Sequence, residues 1–193
     1  MTKIKICGLF RNQDIEYVNE AKPDFIGFVF AESRRRITPA QAESFRKNLR
    51  GGIVPIGVFV NADTRDIAAL YRNGIIGIAQ LHGGEDAAYI DRLKALCGVP
   101  VVKMVKPPDA VPNAGADYLL FDSGNGSGKT FDWRLLPRAN KPYFLAGGIG
   151  LDNIEDALKL SPFAIDVSSG AETDGVKDRE KILRLAKICR RAY

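Results

Sequence analysis

The sequence is poor in the side chains that bind metals and form disulfides. Its 193 residues include only three cysteines and one histidine. Cys7, Cys97 and Cys189 are widely separated and odd in number, which argues against a disulfide framework, and a single histidine argues against a zinc site. We therefore expect reduced thiols and no bound metal.

Long hydrophobic runs are also missing. The longest, at 25–31 and 53–60, have the length of a strand, whereas a membrane-spanning helix needs about 20 apolar residues. The first residues enter a charged strand and not the apolar stretch of a signal peptide. These features predict a soluble, cytoplasmic protein that does not bind membranes.

The charge is modestly positive. A net charge of +5 and a pI near 9.1 favour anionic ligands. The basic clusters at 34–36 and 190–191 lack the interleaved aromatic residues of a single-strand nucleic-acid surface. We therefore expect small phosphates or carboxylates as ligands and no nucleic-acid partner.

Short apolar strands alternate with helices along the whole chain. Thr38-Pro39 is a typical helix start, and glycines at 74 and 98 end two further helices. Three prolines between 106 and 116 make any fifth helix short or irregular. Strands are predicted at 3–7, 25–30, 54–60, 78–82, 99–105, 118–122, 142–146 and 163–167.

Eight strand–helix units at a spacing of roughly 20 to 25 residues predict an α/β fold, a single TIM-type (β/α)8 barrel over residues 1–193. A doubly wound open sheet is the structural alternative, since near-continuous apolar strands suit either. No linker or low-complexity segment divides the chain.

Polar residues stand where several predicted strands end. Cys7 ends the first strand, His82 follows the fourth, Asp122 the sixth, and Asp166 lies in the eighth. Taken singly, a cysteine is more often a buried structural residue and an aspartate a turn residue. In a barrel, however, the active site lies at the carboxyl ends of the strands, so their convergence predicts a functional site there.

Two loops have the composition of an anion site. Gly147 and Gly148 follow strand seven, and Ser168, Ser169 and Gly170 follow strand eight. These are the loops that bind phosphate in many barrels, although glycines also serve simply to make turns. We predict a phosphate site at these five residues.

The loop at 124–130 ends in Gly-Lys-Thr, as a nucleotide-binding P-loop does. The first glycine of that pattern belongs at position 123, which is serine. A glycine-rich lid over the site is the better interpretation.

Segments in chain order, from the first strand to the last, carry a family resemblance. Together they resemble the phosphoribosylanthranilate isomerase family of tryptophan biosynthesis. The segments are KICG at 5–8, GFVF at 27–30 with SRR at 33–35, GVFVN at 57–61, QLHG at 80–83, GSGKTFDW at 126–133 and DVSSG at 166–170.

The resemblance implies an activity and a division of roles. The family converts N-(5-phosphoribosyl)anthranilate to 1-(2-carboxyphenylamino)-1-deoxyribulose 5-phosphate, an Amadori rearrangement that uses no cofactor. It implies Cys7 as general base and Asp122 as general acid. Lys5, on the same face of the strand as Cys7, is expected to help stabilise a thiolate.

The resemblance also implies substrate contacts. It places the anthranilate carboxylate on Arg35, although Arg36 is close enough in sequence to share the task, and a solvated basic loop is the alternative. His82 and Asp166 are expected to line the sugar pocket, with a structural role for His82 as the alternative. The partner is then a phosphorylated small molecule, and the chain a monomer or homodimer.

Three rival functions remain open from the residues. Lys103 within strand five raises the possibility of a Schiff-base aldolase. A non-catalytic phosphate-binding barrel explains the loops but not Cys7 and Asp122 together. The related barrel isomerases of histidine synthesis share the architecture but typically use paired aspartates where this chain has Cys7.

Overall fold

Eight parallel strands form a closed barrel. The computed structural model describes residues 2–107, 115–122 and 132–191. The strands pair in chain order and β8 pairs with β1, so the barrel prediction is confirmed over the open sheet. They are β1 (Lys3–Cys7), β2 (Phe25–Val29), β3 (Val54–Phe59), β4 (Ile78–Leu81), β5 (Val101–Val105), β6 (Tyr118–Phe121), β7 (Tyr143–Leu145) and β8 (Ala164–Val167).

Helices follow most of these strands. The Thr38 hydroxyl accepts a hydrogen bond from the amide of Gln41 at the start of the second helix, and Gly98 ends the fourth in the left-handed conformation. Among the described residues they are α1 (Asn12–Ala21), α2 (Pro39–Asn48), α3 (Thr64–Arg72), α4 (Ala87–Cys97), α5 (Ile154–Lys159) and α6 (Arg179–Arg191). No helix of the described part is long and apolar enough to cross a membrane.

Four predicted segments differ from the structure or fall outside the described residues. A helix expected over 133–138 is only a 3-10 turn at Trp133–Leu135. Helix α5 begins at 154 and not at 151, because the Asn153 side chain bonds Gly148 and Gly150 and holds the preceding residues in a turn. The expected irregular fifth helix falls largely, and the lid at 124–130 entirely, outside the described residues.

Strand alternation separates two hydrophobic layers. Ile4 and Ile6 of β1 face the helices and join a core that includes Val18 of α1 and Leu185 of α6. A smaller cluster fills the barrel; its buried members are Phe25, Ile56, Ile78, Val102, Leu120, Phe144, Ala146 and Ala164. Lys5 lies on the inner face of β1, so a charged side chain is buried within the barrel.

A short hairpin lies between β8 and α6. Strands β9 (Glu172–Thr173) and β10 (Val176–Lys177) pair antiparallel through Asp174 and Gly175, which both have positive φ. Asp-Gly is a strong hairpin signal, because both central residues of a type I′ turn need that conformation. The hairpin brings Glu172 and Lys177 beside the carboxyl end of the barrel.

Candidate active site

A cleft of about 510 Å³ opens at the carboxyl ends of the strands. It brings together residues that lie more than 150 positions apart in the chain. Lining residues that the sequence singled out are Cys7, Arg35, His82, Asp122, Gly147, Gly148, Asp166, Ser168 and Ser169. Predicted catalytic, sugar and phosphate residues therefore share one cavity. Lys5 lies beneath it, fully buried.

Cys7 lies at the end of β1 and is almost completely buried. Gly27 on the paired strand makes room for the thiol, since a Cβ there would lie 2.5 Å from Sγ. Burial raises the pKa of Cys7, and Asp166 acts in the same direction, whereas Lys5 and Lys177 lower it. The net shift is upward, so the cleft without substrate holds a protonated thiol and not the thiolate expected from Lys5 alone.

The raised pKa of Cys7 predicts slow, steeply pH-dependent alkylation. Only a thiolate reacts with a haloacetamide, so the Cys7 rate should rise about tenfold per pH unit through neutrality. It should not level off below the ordinary thiol value of 9.0. Mass spectrometry of the Cys7 peptide in Cys97→Ser protein measures this rate. Saturation near neutral pH would contradict it.

The contacts of Lys5 explain why it does not lower the pKa of Cys7 below its ordinary value. Its ammonium donates hydrogen bonds to Oδ2 of Asp166 at 2.7 Å and to Oε1 of Gln80 at 2.6 Å. Burial disfavours the charged form, but Asp166 and Cys7 together outweigh burial and raise the pKa of Lys5. The lysine is therefore charged, and its charge is shared with Asp166, its neighbour in the β1–β8 register.

Asp166 retains one unused acceptor. Its Oδ1 is buried and has no hydrogen-bond partner within the part of the chain that the structure describes. A buried acceptor without a donor is costly, so this oxygen is suited to a donor on a ligand.

His82 and Asp122 face each other within the cleft. Nε2 of His82 lies 3.8 Å from Oδ2 of Asp122. Nδ1 lies 3.1 Å from Nε2 of the Gln80 side chain. Burial lowers the pKa of His82 despite nearby carboxylates, so the ring is neutral at neutral pH.

The two candidate arginines occupy different places. Arg35 lines the cleft and crosses Gly8, where a Cβ would lie 2.4 Å from its Cδ. Arg36 lies outside the cleft, is largely exposed, and comes no nearer than 3.8 Å to Glu32. It lines a separate groove of about 820 Å³ between α2 and α3. The structure thus brings Arg35, and not Arg36, to the other predicted site residues.

Glu172 is a site residue that sequence reasoning missed. It accepts two hydrogen bonds from Arg35, at 2.6 and 2.9 Å, one from Lys177 at 2.6 Å, and one from Arg34. Burial opposes the ionisation of Glu172, but its contacts with Arg35 and Lys177 outweigh burial and lower its pKa to about 2. The Asp-Gly turn at 174–175 was the available sequence signal for this hairpin.

The two predicted phosphate loops adjoin the cleft. Gly147 and Gly148 both have positive φ, which other residues adopt with strain. Gly170 packs behind the cleft surface, because a Cβ there would lie 2.0 Å from the carbonyl oxygen of Ile149. Gly170 therefore allows the β7 and β8 loops to approach each other.

Lys103 is not part of this cleft. It donates to the carbonyl of Gly83 at 2.7 Å and to Glu85 at 2.9 Å, in a buried pair beside β4 and β5. A Schiff-base role for Lys103 therefore has no support.

Among the described residues, no three His, Cys, Asp or Glu side chains converge as a metal site requires.

Known proteins resemble this chain over nearly its whole length. A sequence profile of the N-(5'-phosphoribosyl)anthranilate (PRA) isomerase family matches residues 4–187. The N-(5'-phosphoribosyl)anthranilate isomerase of Endomicrobium trichonymphae is 49% identical over 198 aligned positions, covering 98% of this chain and 99% of that protein.

Solved structures agree with the sequence comparison. Phosphoribosyl anthranilate isomerase from Thermus thermophilus is similar with a TM-score of 0.88 and 31% identity, over all of both chains. A phosphoribosyl anthranilate isomerase in complex with reduced 1-(o-carboxyphenylamino)-1-deoxyribulose 5-phosphate has a TM-score of 0.79 and 28% identity. That match covers 98% of this chain and 99% of the other.

Proposed function

Because the chain belongs to the N-(5'-phosphoribosyl)anthranilate isomerase family, we propose that Cys7 and Asp122 are the base and acid of its reaction. The protein is an aldose–ketose isomerase of tryptophan biosynthesis, which converts PRA to 1-(2-carboxyphenylamino)-1-deoxyribulose 5-phosphate. The observation that carries the assignment is that both side chains line one cleft at the carboxyl ends of β1 and β6.

The rearrangement needs one proton donated and one removed. Asp122 gives a proton to the furanose ring oxygen, and the ring opens to a Schiff base between C1′ and the anthranilate nitrogen. The Cys7 thiolate then removes the C2′ proton, giving an enolamine. The 2′-ketone forms when the C2′ hydroxyl loses its proton and C1′ gains one. No atom is gained or lost. A raised pKa makes the Cys7 thiolate rare but a stronger base, and Lys5 and Lys177 stabilise it.

We assign the anthranilate carboxylate to Arg35. Glu172 engages Nε and Nη2 of Arg35, so Nη1 is the nitrogen that Glu172 does not use. A guanidinium fixed in this way is preorganised for a planar carboxylate. His82 and the unused Oδ1 of Asp166 are suited to the sugar hydroxyls.

Arg35→Gln is expected to raise KM by about 10- to 100-fold, the equivalent of one or two charge-assisted hydrogen bonds. Arg36→Gln is the matched control and should change KM by less than about twofold, because an exposed charge contributes little. Steady-state kinetics on both variants measures this. A larger effect of Arg36→Gln on KM would show that Arg36, and not Arg35, binds the anthranilate carboxylate.

The 5-phosphate is assigned to the β7 and β8 loops. Gly147, Gly148, Ser168 and Ser169 border the cleft beside Cys7, and Gly170 supports them from behind. Backbone amides and hydroxyls of such loops bind phosphate in many barrels.

The cytoplasmic location and the monomeric or homodimeric state stay predictions.

Turnover of freshly generated PRA, followed by the loss of its fluorescence, tests the function directly. We expect the wild-type chain to convert it without added metal or cofactor. An inactive chain that still binds inorganic phosphate would instead indicate a phosphate-binding barrel without catalysis.

A further inference from the structure

A row of polar side chains crosses the floor of the cleft. Lys5 links Asp166 to Gln80, and Gln80 links Lys5 to His82. His82 in turn faces Asp122, with Nε2 3.8 Å from Oδ2. Gln80, which is almost fully buried within β4, is the central member. The row therefore connects the residues beneath Cys7 with the proposed acid.

Lys5 fixes the orientation of the Gln80 amide. An ammonium group only donates hydrogen bonds, so the Gln80 atom 2.6 Å from it must be the carbonyl oxygen. The amide nitrogen then necessarily faces His82. A flipped amide would set its N–H groups against the ammonium and is excluded by the same chemistry.

The fixed amide in turn fixes the tautomer of His82. Nε2 of Gln80 is a donor, so Nδ1 of His82, 3.1 Å away, must be an acceptor without a proton. A neutral ring with an unprotonated Nδ1 carries its proton on Nε2. That nitrogen is the one nearest Asp122.

The tautomer matters because it decides what His82 offers Asp122. An Nε2–H donates to the carboxylate that remains after Asp122 has given its proton to the substrate. An unprotonated Nε2 would instead accept that proton and draw it away from the ring oxygen. The 3.8 Å separation must shorten by about 1 Å for a direct hydrogen bond, and such contacts commonly tighten when substrate binds.

We propose that Gln80 is a positioning residue for catalysis, which holds His82 as the Nε2–H tautomer so that it donates to Asp122 when the acid is ionised. This inference rests on the acid role proposed for Asp122. It predicts that Gln80 acts on turnover through His82 and contributes little to substrate binding.

The tautomer can be read without any assay, because His82 is the single histidine of the chain. Nitrogen-15 NMR of histidine-labelled wild-type protein at neutral pH should give the pattern of a neutral, Nε2-protonated ring. A Nδ1-protonated or doubly protonated ring would overturn the proposal. This result does not depend on whether PRA is turned over.

Gln80→Glu and His82→Ala form the kinetic test. In Gln80→Glu the carboxylate keeps the Lys5 contact but offers His82 only acceptors, so the ring must protonate Nδ1. We expect kcat to fall about tenfold or more, within the range of acid–base effects, and KM to change by less than about threefold. The NMR pattern should change with it.

His82→Ala removes the imidazole, so that Gln80 has no ring whose tautomer it can set. In that background Gln80→Glu should cost little further activity, which is the non-additivity expected when one residue acts through the other. An equal loss in both backgrounds would show that Gln80 acts elsewhere and overturn the proposal. An inactive wild type with the expected tautomer would reject the proposed function alone.

Discussion

Cys7→Ser is expected to reduce kcat/KM for PRA by about 10²- to 10⁴-fold, the usual contribution of a general base. Serine preserves the size of the side chain, but its hydroxyl ionises far less readily than a thiol, even one whose pKa burial has raised. The absence of a side chain at Gly27 leaves room for the serine hydroxyl where the thiol lies. Fluorescence-based kinetics with purified variants measures the loss.

Cys97→Ser is the matched control for Cys7→Ser. Cys97 ends α4, where its thiol donates weakly to the carbonyl of Leu93, and it does not line the cleft. Its substitution should leave kcat/KM within about twofold. Cys7→Ser protein that retains wild-type activity would remove Cys7 from the mechanism.

Glu172→Gln is expected to lower the free energy of unfolding by about 3–5 kcal/mol, because it leaves buried cations without their counterion. Lys177 has no exposed side-chain surface, and Arg35 loses the acceptor of two hydrogen bonds.

The same variant should also show a changed pH dependence of stability. Burial already lowers the pKa of Lys177, with Glu172 acting against it. In the variant that pKa falls further, so stability should rise with pH. Urea unfolding over a range of pH tests both statements.

The wild type should also gain stability with rising pH, but over an acidic range set by Glu172. The pKa of Glu172 is about 2 in the folded protein and 4.5 ordinarily. A lowered carboxyl pKa stabilises the fold above the ordinary value, and this contribution is lost as the pH falls from 4.5 towards 2. Glu172→Gln should remove that part of the acid sensitivity.

Glu43→Gln is the control for Glu172→Gln. Glu43 pairs with Lys47 on the exposed face of α2, and both side chains are more than half exposed. Loss of such a pair should change stability by less than about 0.5 kcal/mol. Equal destabilisation by the two substitutions would show that burial of the Glu172 cluster contributes nothing.

The barrel was accessible from the sequence because its signals are local. Apolar strands such as 25–30 stand between polar helices with recognisable starts, as at Thr38-Pro39. The carboxyl ends of the strands then had to meet, so Cys7 and Asp122 fell in one cleft. The rule that gave the fold thus also gave the location of the site.

The interactions within the site were not accessible in the same way. Lys5 stands two residues from Cys7, but Asp166, which shares the charge of Lys5, is 161 positions away from it. The choice between Arg35 and Arg36 depends on which of two adjacent side chains reaches Glu172, 137 positions from Arg35. Pairings over such separations follow from barrel closure and leave no local pattern.

Closure of β1 on β8 has a consequence for synthesis of the chain. Cys7 emerges from the ribosome well before Asp166 and Lys177, which act on the pKa of its thiol, and before Ser168, whose hydroxyl donates to its carbonyl. Until then the thiol has an ordinary pKa and open access to solvent and oxidants. The Cys7 thiol is therefore most vulnerable in the nascent chain, and the late segments that complete the cleft also protect it.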